Sequence, residues 1–324
     1  MPEKRIELVH FQITKSCNLR CWFCGQWGSH GFFSEKSGRA MSLDDWICVA
    51  DEIADMSGSH LPDIVIWGGE PLCAPFADDL LFLLKKKGFR LQMITNGTLI
   101  DRHLEAIESC VDCVVVSIDG CRNIHDKIRG NGVYDKVCDN LKKLKKCKKI
   151  VSSVLTKEFC AGMSDFLSEL NFLNIDELYL QNMIGLSDTE ISEYKAWMKN
   201  TFDINATDID SWKIGELSPV NADRVISEIN QLEYNYKITA KEHFEDDGVY
   251  CLSPFRHIHI AWNGNVLYCT DFYDFSAGNV REEKLRDIFE NEMSERFRYE
   301  IANNKCTTCR HCSWRKKRKY SVTV

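Results

Sequence analysis

The chain has 324 residues, with 41 Lys and Arg against 48 Asp and Glu, a net charge of −7. That balance argues against nonspecific nucleic-acid binding, which needs many cationic contacts to phosphates, and no stretch approaches the roughly 18 uncharged apolar residues of a membrane-crossing helix. Met1-Pro2-Glu3-Lys4-Arg5 lacks the apolar core of a secretory signal, so a cytoplasmic protein is expected, and its sixteen cysteines point to metal and free thiols rather than disulfides.

Short β-rich runs alternate with amphipathic helices from residue 6 to 182, the pattern of βα units around a parallel sheet. Six strands are predicted, over 6–14, 63–67, 90–95, 113–118, 150–156 and 177–181. Helices are predicted over 43–56, 77–87, 101–109, 134–145, 163–170 and 188–201. In such folds ligands collect at the carboxyl ends of the strands, and the chemistry-bearing residues fall there.

Strand one runs into Cys17-Asn18-Leu19-Arg20-Cys21-Trp22-Phe23-Cys24. Three thiolates are one short of the four that normally hold an Fe–S cube, so one iron would stay open to another ligand. A zinc loop or buried free thiols are the bland alternatives. Strand two ends in Trp67-Gly68-Gly69-Glu70-Pro71, where paired glycines let backbone approach a ligand and Glu70 offers an acceptor for an ammonium group. Strand three ends in Thr95-Asn96-Gly97 and strand four in Ser117-Ile118-Asp119-Gly120, followed by His125-Asp126-Lys127-Ile128-Arg129-Gly130. Gly, Asn and Asp at these places are also ordinary turn formers, and His125 and Asp126 suit local capping as well as ligand contact.

Residues 202–250 are mostly polar, with a helix predicted over 222–232 and an acidic Glu245-Asp246-Asp247-Gly248 turn. They read as a bridge that also lines a substrate site. After Cys251, the runs 257–262 and 265–268 around Asn263-Gly264 predict a two-residue type I′ hairpin. A helix over 285–298 precedes Cys306-Thr307-Thr308-Cys309-Arg310-His311-Cys312. The basic runs Lys142 to Lys149 and Arg315 to Lys319 read as solvated surface.

The C-x3-C-x2-C loop with Phe23 before its third cysteine resembles the signature of radical S-adenosylmethionine (SAM) enzymes. The Gly68-Gly69-Glu70 turn resembles that family's GGE motif, and Ser117 to Asp119 with Arg129 resembles its peptide- and sulfatase-maturing branch. The resemblance covers residues 6 to about 182 and implies a partial (β/α)6 TIM-like barrel of parallel strands over 1–201. It implies a [4Fe–4S] cluster on Cys17, Cys21 and Cys24, with SAM on its open iron. Phe23, Gly68, Gly69, Glu70, Thr95, Asn96, Ser117, Asp119 and Arg129 would surround the cofactor, Arg129 neutralising the SAM carboxylate through its planar fork.

Residues 251–324, joined to the barrel by the 202–250 bridge, resemble a small hairpin-plus-helix SPASM/twitch module. The full pattern has seven cysteines and two auxiliary clusters; this chain has Cys251, Cys269, Cys306, Cys309 and Cys312, which supports one auxiliary [4Fe–4S] cluster with one cysteine over. Spacing does not say which of the last three is spare, and a structural zinc site competes. Cys73, after the GGEP turn, is a hydrogen-donor candidate, although a packed thiol is the blander reading.

The implied activity is reductive cleavage of SAM to a 5′-deoxyadenosyl radical that abstracts hydrogen from a substrate C–H bond, with a one-electron donor such as flavodoxin or ferredoxin as partner. A ribosomally made peptide modified by cross-linking, epimerisation or oxidation is the preferred substrate, although strand one starting at residue 6 leaves no room for an N-terminal leader-recognition domain. A sugar, aminocyclitol or similar polar metabolite is the alternative, acted on by a dehydrogenase or epimerase. A non-catalytic Fe–S or zinc-binding electron carrier or scaffold is the alternative of another class. Substrate contacts are expected at Gln181 and Asn182.

Overall fold

A computed structural model describes residues 2–28, 31–34, 36–213, 220, 225, 229, 234–240, 249–311 and 316–317. Six parallel strands open the chain: β1 (Leu8–Thr14), β2 (Asp63–Gly68), β3 (Leu91–Thr95), β4 (Cys113–Ser117), β5 (Lys148–Leu155) and β6 (Glu177–Asn182). Their middles are runs such as Ile64-Val65-Ile66, all buried, as expected of parallel strands covered on both faces. Neighbouring strands stay in register, Leu8 opposite Asp63 and Cys113 opposite Lys148, so their carboxyl ends form one rim.

Helices return the chain between strands. Ser42 and Asp45 form a reciprocal capping box at the start of α1 (Leu43–Ser57), whose Trp46, Val49, Ala50 and Ile53 are buried. Helices α2 (Ala77–Lys86) and α3 (Leu104–Cys110) follow β2 and β3. After β4 the chain forms α4 (Arg122–Arg129), which periodicity did not predict, and α5 (Val133–Lys143). Beyond β5 come α6 (Lys157–Ala161) and α7 (Met163–Leu170), and after β6 comes α8 (Asp188–Phe202), with a second capping box at Ser187 and Glu190.

The sheet is larger than the six strands predicted. A strand from the bridge, β7 (Lys237–Ala240), pairs parallel with β6, Glu177 facing Lys237. Of the helix predicted over 222–232, Val225 and Ile229 lie within the described residues, both helical and buried. A short antiparallel pair joins β8 (Val249–Tyr250) to the last strand, β12 (Lys316–Lys317).

At the other edge, β9 (His257–Ile260) pairs parallel with β1, and β10 (Asn265–Leu267) and β11 (Gly278–Asn279) continue the sheet antiparallel. The ten strands run β11-β10-β9-β1-β2-β3-β4-β5-β6-β7, an open sheet whose edges do not meet. The three segments separated on sequence grounds thus share one sheet and one hydrophobic core.

The hairpin turn differs from the two-residue type I′ form. Ile260 faces Val266, Ala261 N donates to Asn265 O, and Gly264 N donates to Ala261 O, which leaves three residues in the loop. A type I′ turn needs positive φ at both central residues, whereas Gly264 adopts +92° and Asn263 does not. The helix predicted over 285–298 is two, α10 (Leu285–Glu290) and α11 (Glu292–Ala302), because Asn291 ends the first and caps the second through Ser294 N; the single turn α9 (Ser253–Arg256) precedes β9.

Candidate active site

The cysteine loop leaves the carboxyl end of β1 and is pinned by the turn after β2. Gly69 N donates to Thr14 O at 2.9 Å, and Glu70 N donates to Ser16 O at 2.8 Å. A Cβ on Gly68 would sit 2.3 Å from Thr14 O, and one on Gly69 would sit 2.4 Å from Ser16 O. Close backbone approach is what these glycines serve, as expected, and the neighbour they admit is the cysteine loop itself.

Glu70 is fully buried and does not line the cavity beside this loop. Its carboxylate accepts from Thr95 Oγ1 (2.7 Å), Asn96 N (2.7 Å) and Leu72 N (3.2 Å), so it fixes the end of β3 instead of offering an acceptor to a ligand. Burial pushes its pKa up, against the opposing pull of these hydrogen bonds. Asn96 in turn donates to Asn18 Oδ1 at 2.9 Å and lies 4.0 Å from the Cys17 sulfur. Cys73 also departs from its expectation: its thiol lies against the Asn18 backbone and does not reach the cavity.

Helix α4 brings Arg129 to the same place. Its Nε donates to Asp119 at 2.6 Å and its Nη1 lies 3.7 Å from the Cys21 sulfur. Asp119 is fully buried, accepts from Val154 N at 3.0 Å and stays behind the cavity wall. Burial works against the charge on Arg129, but Asp119 and the nearby thiols outweigh it and raise its pKa. With Nε committed to Asp119 and Nη1 turned to Cys21, Nη2 remains for a ligand. His125, the first acceptor behind this pair, takes Asp119 N on Nδ1 at 3.2 Å, and burial lowers its pKa to about 4.

Around these groups is a cavity of about 320 Å³. Cys17, Cys21, Cys24, Phe23, Gly68, Gly69, Thr95, Asn96, Ser117, Arg129, Gln181 and Asn182 all line it, so it gathers most of the sequence candidates; Glu70, Asp119 and Cys73 stand outside. Burial pushes the Cys17 thiol up to about 12, and it raises the Cys21 thiol despite Arg129. Ligation must therefore displace protons from these thiols. Among the described residues no three Cys, His, Asp or Glu side chains converge as they would on a single metal ion. A cluster whose thiolates bind separate irons does not require that convergence, and three thiols at the mouth of a cavity fit such a group with one iron left open.

A second cavity, of about 40 Å³, brings Cys251, Cys269, Cys306 and Cys309 together beneath Tyr194, Trp197, Phe272 and Phe297. The hydrogen bond from Cys309 outweighs burial and lowers the Cys306 thiol below its ordinary value. Four thiols enclosed by aromatic walls fit an Fe–S cluster. Cys312 lies outside the described residues.

Sequence reasoning missed the residues that connect the two sites. Thr270 lines both cavities, and Asp271 and Tyr273 of the same loop line the first. Trp212 donates from Nε1 to Asp271 O at 2.7 Å and lies so close to Gly25 that a Cβ there would meet its ring at 2.6 Å. Asp274 holds this tryptophan's short helix by accepting from Thr207 N, Asp208 N and Ile209 N at 2.6, 2.8 and 3.1 Å. A signal for the lumen was present: His10 and Gln12 alternate with Val9, Phe11 and Ile13, as His257 and His259 do with Ile258 and Ile260. Such alternation in a strand marks one polar and one apolar face.

Residues 11–157 match the family model of the radical SAM superfamily, and residues 251–313 match that of the SPASM iron–sulfur cluster-binding domain. The tungsten-containing aldehyde ferredoxin oxidoreductase cofactor-modifying protein of Pyrococcus furiosus is 24% identical, over 96% of this chain and 88% of that protein. The sporulation killing factor maturation protein SkfB of Bacillus subtilis is 24% identical, over 91% of this chain and 67% of that protein. Among solved structures, Streptococcus suis SuiB bound to S-adenosylmethionine has a TM-score of 0.68 at 15% identity, covering 94% of this chain and 68% of SuiB. At these identities the structural likeness bears on the fold.

Proposed function

Because the chain belongs to the radical SAM superfamily and carries a C-terminal SPASM domain, we propose that this radical SAM enzyme modifies a ribosomally made peptide at a C–H bond. With a reduced [4Fe–4S] cluster and SAM bound, the site supplies a 5′-deoxyadenosyl radical that removes a hydrogen atom from the substrate. In this reading Cys17, Cys21 and Cys24 hold that cluster, while Asn96, Ser117, the Gly68-Gly69 backbone and Nη2 of Arg129 orient SAM. Glu70 and Asp119 act one layer back, Glu70 fixing Asn96 and Asp119 fixing Arg129. Cys251, Cys269, Cys306 and Cys309 hold one auxiliary cluster.

The observation that carries the substrate assignment is the part of the cavity wall built from β5, β6 and the residues that follow β6. There Ser152, Gln181 and Asn182 line the cavity beside apolar Met183 and Ile184, with Gln181 Nε2 donating to Ser152 Oγ at 2.8 Å and its Oε1 left to accept. Side-chain amides carry both a donor and an acceptor, complementary to a peptide group, and the apolar neighbours give room for a side chain. The named role of SkfB in maturing a killing factor supports the same substrate class, as does SuiB, solved also with its precursor peptide SuiA at a TM-score of 0.65, 18% identity, 89% of this chain and 65% of SuiB.

The test is anaerobic incubation of cluster-loaded protein with SAM, a one-electron reductant and short peptides encoded beside its gene, read by mass spectrometry. Stoichiometric 5′-deoxyadenosine with a modified peptide supports the reading. Turnover on a small polar metabolite, with none on peptides, would replace it.

A further inference from the structure

Tyr273 faces the cavity from the loop that follows Cys269. Its phenol oxygen accepts from Gln12 Nε2 at 2.8 Å and from Gln26 Nε2 at 3.4 Å. The Gln12 amide is oriented from behind, since its Oε1 accepts from Trp262 N at 3.4 Å, which leaves Nε2 as the group turned to the phenol. The ring is held edge-on against His259, with centroids 5.2 Å apart, and tilted against Phe32 at 4.8 Å. Both amides donate to the oxygen, so neither accepts its hydrogen, and neither is a base that could take it as a proton. Burial, with the negative charge of nearby Asp271, holds the phenol well above its ordinary pKa, against the pull of the two amides.

A carbon radical is quenched by a neighbouring X–H bond no stronger than the C–H bond that forms. Alkyl O–H bonds are stronger than that, which removes Thr95, Ser117, Ser152 and Thr270 of the lining; the indole N–H groups of Trp27 and Trp212 are committed to Lys15 O and Asp271 O at 2.5 and 2.7 Å, and that of Trp67 is buried away from the cavity. Thiol S–H and phenol O–H bonds are weak enough. The lining thiols are Cys17, Cys21 and Cys24, which the SAM-cleaving cluster requires as thiolates, and Cys73 is held away. Among the described lining residues this leaves Tyr273.

We propose that Tyr273 is the hydrogen-atom donor that quenches the carbon-centred substrate radical, making the net change in the substrate a redox-neutral inversion at carbon. The assignment rests on the radical chemistry of the proposed function and holds for any substrate in this cavity. In the step, the phenol O–H breaks homolytically and a substrate C–H forms, leaving a neutral tyrosyl radical whose oxygen still accepts from Gln12 and Gln26. One electron from a flavodoxin- or ferredoxin-type donor and one proton from solvent restore the phenol.

The test needs no substrate. Anaerobically reconstituted protein is reduced with dithionite, freed of excess reductant and given SAM in D2O, where the phenol exchanges its hydrogen and the SAM-derived radical is the available acceptor. Monodeuterated 5′-deoxyadenosine is expected, together with a tyrosyl EPR signal that narrows when ring-deuterated tyrosine is incorporated. Tyr273→Phe should abolish both, with its iron content reading that it has folded. Deuterium incorporation that persists in Tyr273→Phe, or product free of deuterium from the parent protein, would overturn the assignment. The labelled-tyrosine signal reads the parent protein and so stands even if the variant fails to fold. Absence of any SAM cleavage by the parent protein would overturn the radical SAM reading and this assignment with it.

Discussion

Arg129 lies with Nη1 3.7 Å from the sulfur of Cys21 while its Nε is bound to buried Asp119. A positive charge thus stands beside a thiol that must ionise to bind iron, and a buried carboxylate behind it depends on that charge. Removing one partner of a buried pair strands the other, at a cost on the order of 3–5 kcal/mol. Arg129→Met is therefore expected to unfold at lower denaturant concentration by about that amount and to lose SAM binding. Adding Asp119→Asn should recover most of the stability and none of the binding. If the double variant is no more stable than Arg129→Met, the pair is not what holds α4 to the sheet.

The glycines after β2 give a sharper separation of the two cysteine sites. A Cβ on Gly68 or Gly69 meets backbone carbonyls at 2.3 and 2.4 Å, and backbone cannot swing aside as a side chain can. Gly69→Ala should push the cysteine loop away from β2 and cost about half of the reconstituted iron, that of one cluster in two, leaving the C-terminal site loaded. Iron analysis showing full content in Gly69→Ala would contradict this placement of the loop.

Much of the barrel is legible because its strands carry β-branched apolar residues, continuous in β2 and β4 and alternating with polar ones in β1, and its ligand-facing residues sit in turns of fixed chemistry at strand ends. Strand β7 is not. Lys237-Ile238-Thr239-Ala240 is short and half polar, and it is recruited by tertiary contacts, Thr239 Oγ1 donating to Glu177 at 2.7 Å. Helix α4 escapes periodicity because its buried face is His125 with Ile128, and histidine does not count as apolar until Asp119 N is seen to bond it. Tyr273 and Trp212 lie in segments with no motif at all. What gives them a place in the site is the return of β9 to the outer edge of β1, a pairing between residues some 250 positions apart.

The four cysteines around the second cavity make a prediction about the fifth. In a background where Cys17, Cys21 and Cys24 are alanine, single alanine replacements of Cys251, Cys269, Cys306 or Cys309 should each abolish the remaining [4Fe–4S] EPR signal, since each removes one of four thiolates. Cys312→Ala should keep it. Loss of the signal in Cys312→Ala together with its survival in Cys309→Ala would exchange their roles, and zinc in place of iron would assign the site to a tetrahedral structural ion.

The acid limit of stability should trace in part to His125. Its ordinary value is 6.5, and in the fold burial lowers it to about 4. Between those values the unfolded chain binds a proton that the folded chain does not, so stability rises with pH across that window. Read downward, the contribution present above pH 6.5 is lost as pH falls toward 4, and the loss levels off below, once the folded imidazole also protonates. At about 1.4 kcal/mol per unit the full loss is on the order of 3 kcal/mol. His125→Gln carries no titrating group there and can still accept from Asp119 N. It should be less stable than the parent protein at neutral pH, because the replacement fits the buried site less well, but it should lose less on acidification. Urea midpoints at about pH 7.5 and about pH 5 read the difference. An acid shift of equal size in both proteins would move the titration to another group and leave His125 as a packing residue against Tyr134, 5.7 Å from it between ring centroids.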